Sequence, residues 1–267
     1  MGDTRIEWAE KVWNPVTGCS WISPGCDNCY ARRMAKRLAG RCGYPKDNPF
    51  AVTFHEDRLN DPLRWIKPKR IFVCSMGDLF HESISFDSGV YRRIFDVMSK
   101  TPQHSYMVLT KRPEKMAWAL APFLGDIVPD NLWVGVSAED SVALRERVTW
   151  LLRIPAKVRF LSIEPMLGPV DLPEAIGMAM LDLDMLCGGD QGIHWVIVGG
   201  ETGPNARLIN PEWLFSVVRQ SRSANVPLFV KQISGRNHTC RHYDMPEWAK
   251  IRMFPGETWP EGQGDIL

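Results

Sequence analysis

Leu132-Trp133-Val134-Gly135-Val136-Ser137 and Val158-Arg159-Phe160-Leu161-Ser162 are two short runs rich in β-branched and aromatic residues. Between them Leu144, Val148, Leu151 and Leu152 recur at helical spacing. Continuous apolar runs of this length suit strands covered on both faces, as in a parallel sheet, and the spaced leucines suit the helix that crosses between two such strands. The stretch therefore reads as strand, helix, strand.

The same alternation extends in both directions. Further strand-like runs fall at Phe50–Phe54, Arg70–Cys74, Tyr106–Thr110, Trp195–Gly199 and Pro227–Lys231, with another candidate near Val12–Val16. Val90, Ile94, Val97 and Met98 lie on one helical face, and Asn210 before Pro211 supplies an N-cap and a first-turn proline for a helix through Trp213, Val217 and Val218. About six to eight strand–helix units predict an α/β fold, a complete or partial (β/α) barrel of the TIM-barrel-like type. The expected division is a barrel over residues 1–235 and a polar, Pro- and Gly-rich tail or cap over 236–267 that is not an independent domain.

With 45% hydrophobic and 24% charged residues, the chain has the makings of a globular core, which excludes intrinsic disorder. Thirty-two Lys and Arg against 31 Asp and Glu leave no global field for nucleic acid or an anionic membrane, so any such contact must be local. No apolar run approaches the roughly 20 residues that span a bilayer, and the expectation is a cytoplasmic protein with no membrane partner.

Seven cysteines, an odd number, point away from a disulfide framework and towards metal binding. Cys19, Cys26 and Cys29 cluster in one loop, Thr17-Gly18-Cys19-Ser20-Trp21-Ile22-Ser23-Pro24-Gly25-Cys26-Asp27-Asn28-Cys29-Tyr30. The C-x-x-C pair brings two thiolates to one centre, and Gly18, Pro24 and Gly25 let the chain bring Cys19 round. Three cysteines on a 4Fe-4S cluster leave one iron open for a substrate or cofactor. The competing reading is structural zinc with Cys42 as a fourth ligand, in a binding module without catalysis. Cys74 and Cys187 read as buried, inert thiols.

The chain resembles the phage-borne three-Cys-motif proteins, themselves similar to outlying members of the radical S-adenosylmethionine (SAM) superfamily. The resemblance rests on Cys26-Asp27-Asn28-Cys29-Tyr30, Met76-Gly77-Asp78-Leu79-Phe80-His81, Thr110-Lys111-Arg112-Pro113, Ser162-Ile163-Glu164-Pro165-Met166-Leu167-Gly168-Pro169, Gly199-Gly200-Glu201-Thr202-Gly203-Pro204 and Val230-Lys231-Gln232. It departs from the usual C-x3-C-x2-C spacing by carrying six residues in the first gap. The likeness implies a radical SAM barrel in which Cys19, Cys26 and Cys29 hold the 4Fe-4S cluster. An external electron donor drives SAM cleavage, and the resulting radical takes a hydrogen from a nucleobase, nucleotide or nucleic-acid substrate, with phage DNA modification as the favoured setting.

Each of these motifs falls at the end of a predicted strand, where barrel chemistry is built. Under the resemblance, Gly199 and Gly200 allow SAM close to the backbone and Glu201 meets its amino group or ribose hydroxyls. Ser137, Glu139, Ser162 and Glu164 offer acceptors for the same ligand. Lys111, Lys231, Arg112 and Arg207 are candidates for its carboxylate or a substrate phosphate. Asp78 and His81, with Lys231, are the expected catalytic groups, the first two in proton transfer. The basic stretch Arg32, Arg33, Lys36, Arg37 and Arg41 reads as a solvated face or a phosphate contact, Trp21 as a shield or stacking platform, and His238, Cys240 and His242 as a tail trio without a metal.

Overall fold

The computed structural model describes residues 4, 6–123, 129–183, 192–234, 239–240 and 244–260, and divides into two compact units. The first unit holds Met1–Val136 with Ile154–Lys157, and the second holds Ser137–Arg153 with Val158–Leu267.

In chain order the first unit contains β1 (Lys11–Trp13), β2 (Val16–Thr17), α1 (Tyr30–Arg37), β3 (Thr53–Phe54), α2 (Glu56–Leu59), β4 (Arg70–Val73), α3 (Val90–Ser99), β5 (Ser105–Thr110), α4 (Pro113–Leu120) and β6 (Leu132–Ser137). β1, β4, β5 and β6 pair side by side, all parallel, with Trp13 opposite Val73 and Val108 opposite both Val73 and Val134. Parallel strands need covering on both faces, and the fully buried side chains Trp13, Ile71, Ile94, Phe95, Met98 and Tyr106 supply the apolar filling. The Trp13 and Tyr106 rings lie 5.7 Å apart, and the Trp13 indole N–H donates to the Arg58 carbonyl at 2.8 Å, so the polar edge of the buried ring is satisfied.

The second unit continues with α5 (Ser141–Leu152), β7 (Val158–Ile163), α6 (Leu172–Leu183), β8 (Trp195–Val198), α7 (Pro211–Ser223), β9 (Leu228–Val230), β10 (Ile233–Ser234) and β11 (Thr239–Cys240). β7, β8 and β9 are parallel and buried along their whole length, as the uninterrupted apolar runs require. Asn210 caps α7 by accepting from the Glu212 N–H at 2.9 Å, with Pro211 at the first helical position. Along the outer edge of β9 the tail returns antiparallel. Val230 N–H donates to the Ile251 carbonyl, Met253 N–H donates to the Leu228 carbonyl, and Phe254 packs 5.5 Å from Phe229. That pairing shields an otherwise open sheet edge.

The main sheet has seven strands in the order β1-β4-β5-β6-β7-β8-β9. The order follows the sequence without reversal, so it lacks the switch point of a doubly wound sheet and agrees with a partial β/α barrel. Among the described residues no helix is long and apolar enough to cross a membrane.

Two expected strands take a different form. The run Val12–Val16 is interrupted at Asn14-Pro15, where proline cannot donate to a ladder, and splits into β1 and β2. The run Phe50–Phe54 shortens to β3, which pairs antiparallel with β2 outside the main sheet, Val16 opposite Phe54.

Candidate functional site

The cysteine loop leaves β2 through Gly18, whose φ of +88° is a left-handed conformation that glycine adopts without strain. A side chain there would meet the Ala51 carbonyl oxygen at 2.2 Å. Gly18 also bridges to Gly77, where a side chain would meet the Gly18 oxygen at 2.6 Å. Gly18 N–H donates to the Met76 carbonyl at 2.9 Å, and Asp78 N–H donates back to the Gly18 carbonyl at 3.2 Å. Two glycines thus clamp the cysteine loop against the loop after β4 that carries Asp78.

Beyond the clamp, Pro24–Cys26 forms a single 3-10 turn, and Cys29 is the N-cap of α1. Cys29 makes no side-chain cap hydrogen bond to the helix it begins. Trp21 is half-exposed and donates its indole N–H to Asp27 at 2.9 Å, fastening the loop to itself. Lys111 donates to the buried Ser23 hydroxyl at 3.0 Å. Tyr30 donates to the Ser75 carbonyl.

Cys19 meets a buried polar centre built on Arg112. The guanidinium donates Nη1 to Cys19 Sγ at 3.3 Å and to Asp78 Oδ2 at 3.1 Å, Nη2 to Ser20 Oγ at 2.7 Å, and Nε to Glu82 Oε1 at 2.7 Å. Asp78 is held in turn by the Thr110 hydroxyl at 2.8 Å and the Phe80 N–H at 2.9 Å. With four of its five N–H donors directed at these acceptors, the guanidinium is fixed in place. Burial pushes the Cys19 thiol up to about 11, Asp78 pushes the same way, and Arg112 opposes both.

His81 joins the same centre. Its Nδ1 accepts from the Ser83 N–H at 3.1 Å, so in the neutral ring the proton sits on Nε2 and is directed at Ser20 Oγ, 2.9 Å away. Burial and the Arg112 charge hold its pKa below 6.5. Ser20 therefore accepts from both Arg112 and His81, which leaves its own hydroxyl proton to be donated outwards. A cavity of about 740 Å³ opens there, lined by Cys19, Ser20, His81 and Ser83 together with Arg32, Lys36 and residues 47–52.

The strand ends of the second unit carry the remaining sequence candidates. Glu139 is 2% exposed and paired with Arg147 at 2.9 Å, while Arg147 Nη1 also donates to the Ser137 carbonyl. The Ser137 hydroxyl donates to the Glu164 carbonyl at 3.0 Å. Glu164 receives the Ser162 hydroxyl at 3.3 Å and pairs with Lys231 at 3.1 Å. A side chain on Gly199 would sit 2.6 Å from Glu164 Oε1, so glycine is what admits that carboxylate. Glu201 is bound by the Arg207 N–H at 2.8 Å and by its guanidinium at 2.7 Å. Gly200 exchanges main-chain and side-chain hydrogen bonds with Gln232.

Cys74 is fully buried, and burial pushes its thiol up to about 12. Cys42 is exposed, with its carbonyl held by Arg58. Cys187, His238 and His242 lie outside the described residues. Among the described residues no group of three or more His, Cys, Asp or Glu side chains is drawn together at metal-binding distance. Ser20, Glu82 and Thr110 were not singled out by the sequence. Their signal lies in short polar residues neighbouring Cys19, His81 and Lys111.

A profile of the family described as protein of unknown function, DUF5131, matches residues 3–262. The chain belongs to the DUF5131 family. No curated protein and no solved structure matches it. The DUF5131 match takes in both units, the cysteine loop and every strand-end motif described above.

Proposed function

We propose that this DUF5131 chain is a radical SAM enzyme whose cluster is held by Cys19, Cys26 and Cys29. The observation that carries the reading is the seating of the cysteine loop. Three soft thiol donors share one loop, one stands at the start of a helix, and another touches a guanidinium that four acceptors lock in position. Such a donor set fits an iron–sulfur cluster, and a fixed cation 3.3 Å from a ligating sulfur lowers the cost of concentrating negative charge there. When bound, cluster and SAM together supply a 5′-deoxyadenosyl radical after one-electron reduction by an external donor.

The chain's own residues do the rest. Arg112 steadies Cys19. Asp78 and Thr110 steady Arg112. His81 presents its Nε2 proton to Ser20, whose hydroxyl then faces the cavity. In the second unit, Glu164 pairs with Lys231, and Gly199 leaves room beside that carboxylate. Glu139 and Glu201 are already engaged by arginines and hold the strand ends in shape. The nucleobase or nucleotide substrate is carried by the resemblance to three-Cys-motif proteins.

The test is anaerobic reconstitution with iron and sulfide, followed by reduction in the presence of SAM. The proposal expects 5′-deoxyadenosine to form, and Cys26→Ala to lose both bound iron and product. Stoichiometric zinc without iron or sulfide would overturn it in favour of a zinc-stabilised binding module.

A further inference from the structure

We infer that the cavity beside Cys19 is the phosphate-recognising half of a nucleotide site, with Arg32 and Lys36 as the phosphate ligands. The inference rests on the radical SAM reading for its purpose, but its geometry stands apart from the cluster. Arg32 and Lys36 are one turn apart on α1, so their side chains project from the same face. Both line the cavity of about 740 Å³ that Cys19, Ser20 and His81 also line. The cavity is open to solvent, so a ligand there keeps part of its surface wet.

Among the described residues neither cation has a carboxylate partner. Arg32 rests over the Phe50 ring at 5.7 Å, and Lys36 is exposed. The neighbouring Arg33, by contrast, is tied to the Asn28 carbonyl at 3.0 Å. A guanidinium and an ammonium left unpaired at the rim of a cavity suit a phosphate, which the first can grip with two donors and the second as a point charge.

The remaining lining argues for more than a bare anion. Phe50, with Arg32 over its ring, adds an aromatic surface beside which a base can pack irrespective of its identity. Asp47 and Asn48 offer an acceptor and an amide to the edge of a base. Asp47 also repels an isolated phosphate, so inorganic phosphate gains less here than a nucleotide that presents a base edge to it. Ser20, with its own proton free to donate, closes the inner wall. The sequence leaves the basic residues of α1 as a solvated face or a phosphate contact. Their place in this cavity favours the contact.

The experiment is equilibrium dialysis on the full reconstituted chain without SAM, using four probes: 2′-deoxynucleoside 5′-monophosphates, the matching nucleosides, inorganic phosphate, and a short single-stranded oligodeoxynucleotide. Nucleotides are expected to bind at least about tenfold more tightly than nucleosides. The double variant Arg32→Gln with Lys36→Gln removes that advantage, and Lys36→Arg keeps it. Tighter binding of the oligonucleotide than of the mononucleotides assigns the phosphate to a strand, and the reverse assigns it to a free nucleotide. Equal binding of nucleotide and nucleoside, inorganic phosphate binding as tightly as nucleotide, or an unweakened double variant would overturn the inference. Iron content, measured on the same samples, reports separately on the cysteine loop, so failure of one reading is not mistaken for failure of the other.

Discussion

Among the described residues, two buried carboxylate–guanidinium pairs stand just beyond strands, and they differ in where the arginine's other hydrogen bonds go. Glu139 and Arg147 meet at 2.9 Å with 2% and 7% of their side chains exposed, and the arginine's other contact is the Ser137 main chain. Asp78 and Arg112 meet at 3.1 Å with similar burial, but the arginine also donates to Ser20, Glu82 and Cys19. The first pair ties its arginine to the neighbouring Ser137 main chain and fixes a turn. The second hands its position on to a thiol and a cavity wall. A buried ion pair is therefore not evidence for a site until its outward hydrogen bonds are followed.

The largest expected effect comes from breaking the Glu139–Arg147 pair from one side. Glu139→Leu leaves Arg147 buried without a counter-charge and is expected to lose about 3–5 kcal/mol of stability. Adding Arg147→Met removes the stranded charge and is expected to restore most of the loss, as read by chemical denaturation. A double variant as unstable as the single would show that the loss does not come from a stranded Arg147 charge.

Arg112→Lys tests the outward-facing pair. Lysine keeps the charge but not the planar fork, so about 1–3 kcal/mol of stability is expected to go with the lost hydrogen bonds. SAM cleavage should fall by about tenfold or more, equivalent to about 1.4 kcal/mol in the barrier. Equal loss of activity in Glu139→Leu/Arg147→Met would erase the distinction between the two pairs. Gly18→Ala forces a side chain into a left-handed backbone, a strain of about 1–3 kcal/mol, and towards the Ala51 carbonyl. Its expected mark is loss of bound iron beyond what the drop in stability explains.

The smallest effect is in pH. His55 is buried against the Thr17 hydroxyl at 2.7 Å, and burial and Arg58 hold its pKa below 6.5. Because the folded chain takes up the proton less readily than the unfolded chain, this contribution is complete above about pH 6.5 and is lost as pH falls towards the folded value. The same sign holds for His81. Stability followed from neutral to acidic pH should decline less steeply in His55→Gln than in the unsubstituted chain.

The strands were legible where burial was two-sided. Leu132–Ser137 and Val158–Ser162 read directly from their apolar runs because a parallel strand hides both faces, and Asn210-Pro211 announced α7 through cap chemistry. Phe50–Phe54 misled because its apolar residues serve a two-residue antiparallel pairing and the cavity wall. The cysteines, Asp78 and His81 stood out by residue type. Which of them touch could not be read from spacing, since the clamp depends on Gly18 and Gly77 meeting across 59 positions of chain. Nor could the engagement of Glu139 and Glu201 by nearby arginines, which turns two apparent ligands into fastenings.

The central claim is an iron–sulfur cluster on Cys19, Cys26 and Cys29 with one iron open to SAM. Electron paramagnetic resonance of the reduced, reconstituted chain measures it most directly, recorded before and after SAM is added. The account predicts a reduced-cluster signal that changes shape and position with SAM and is absent in Cys26→Ala. A signal indifferent to SAM, or no cluster signal from a chain that carries zinc, would contradict it.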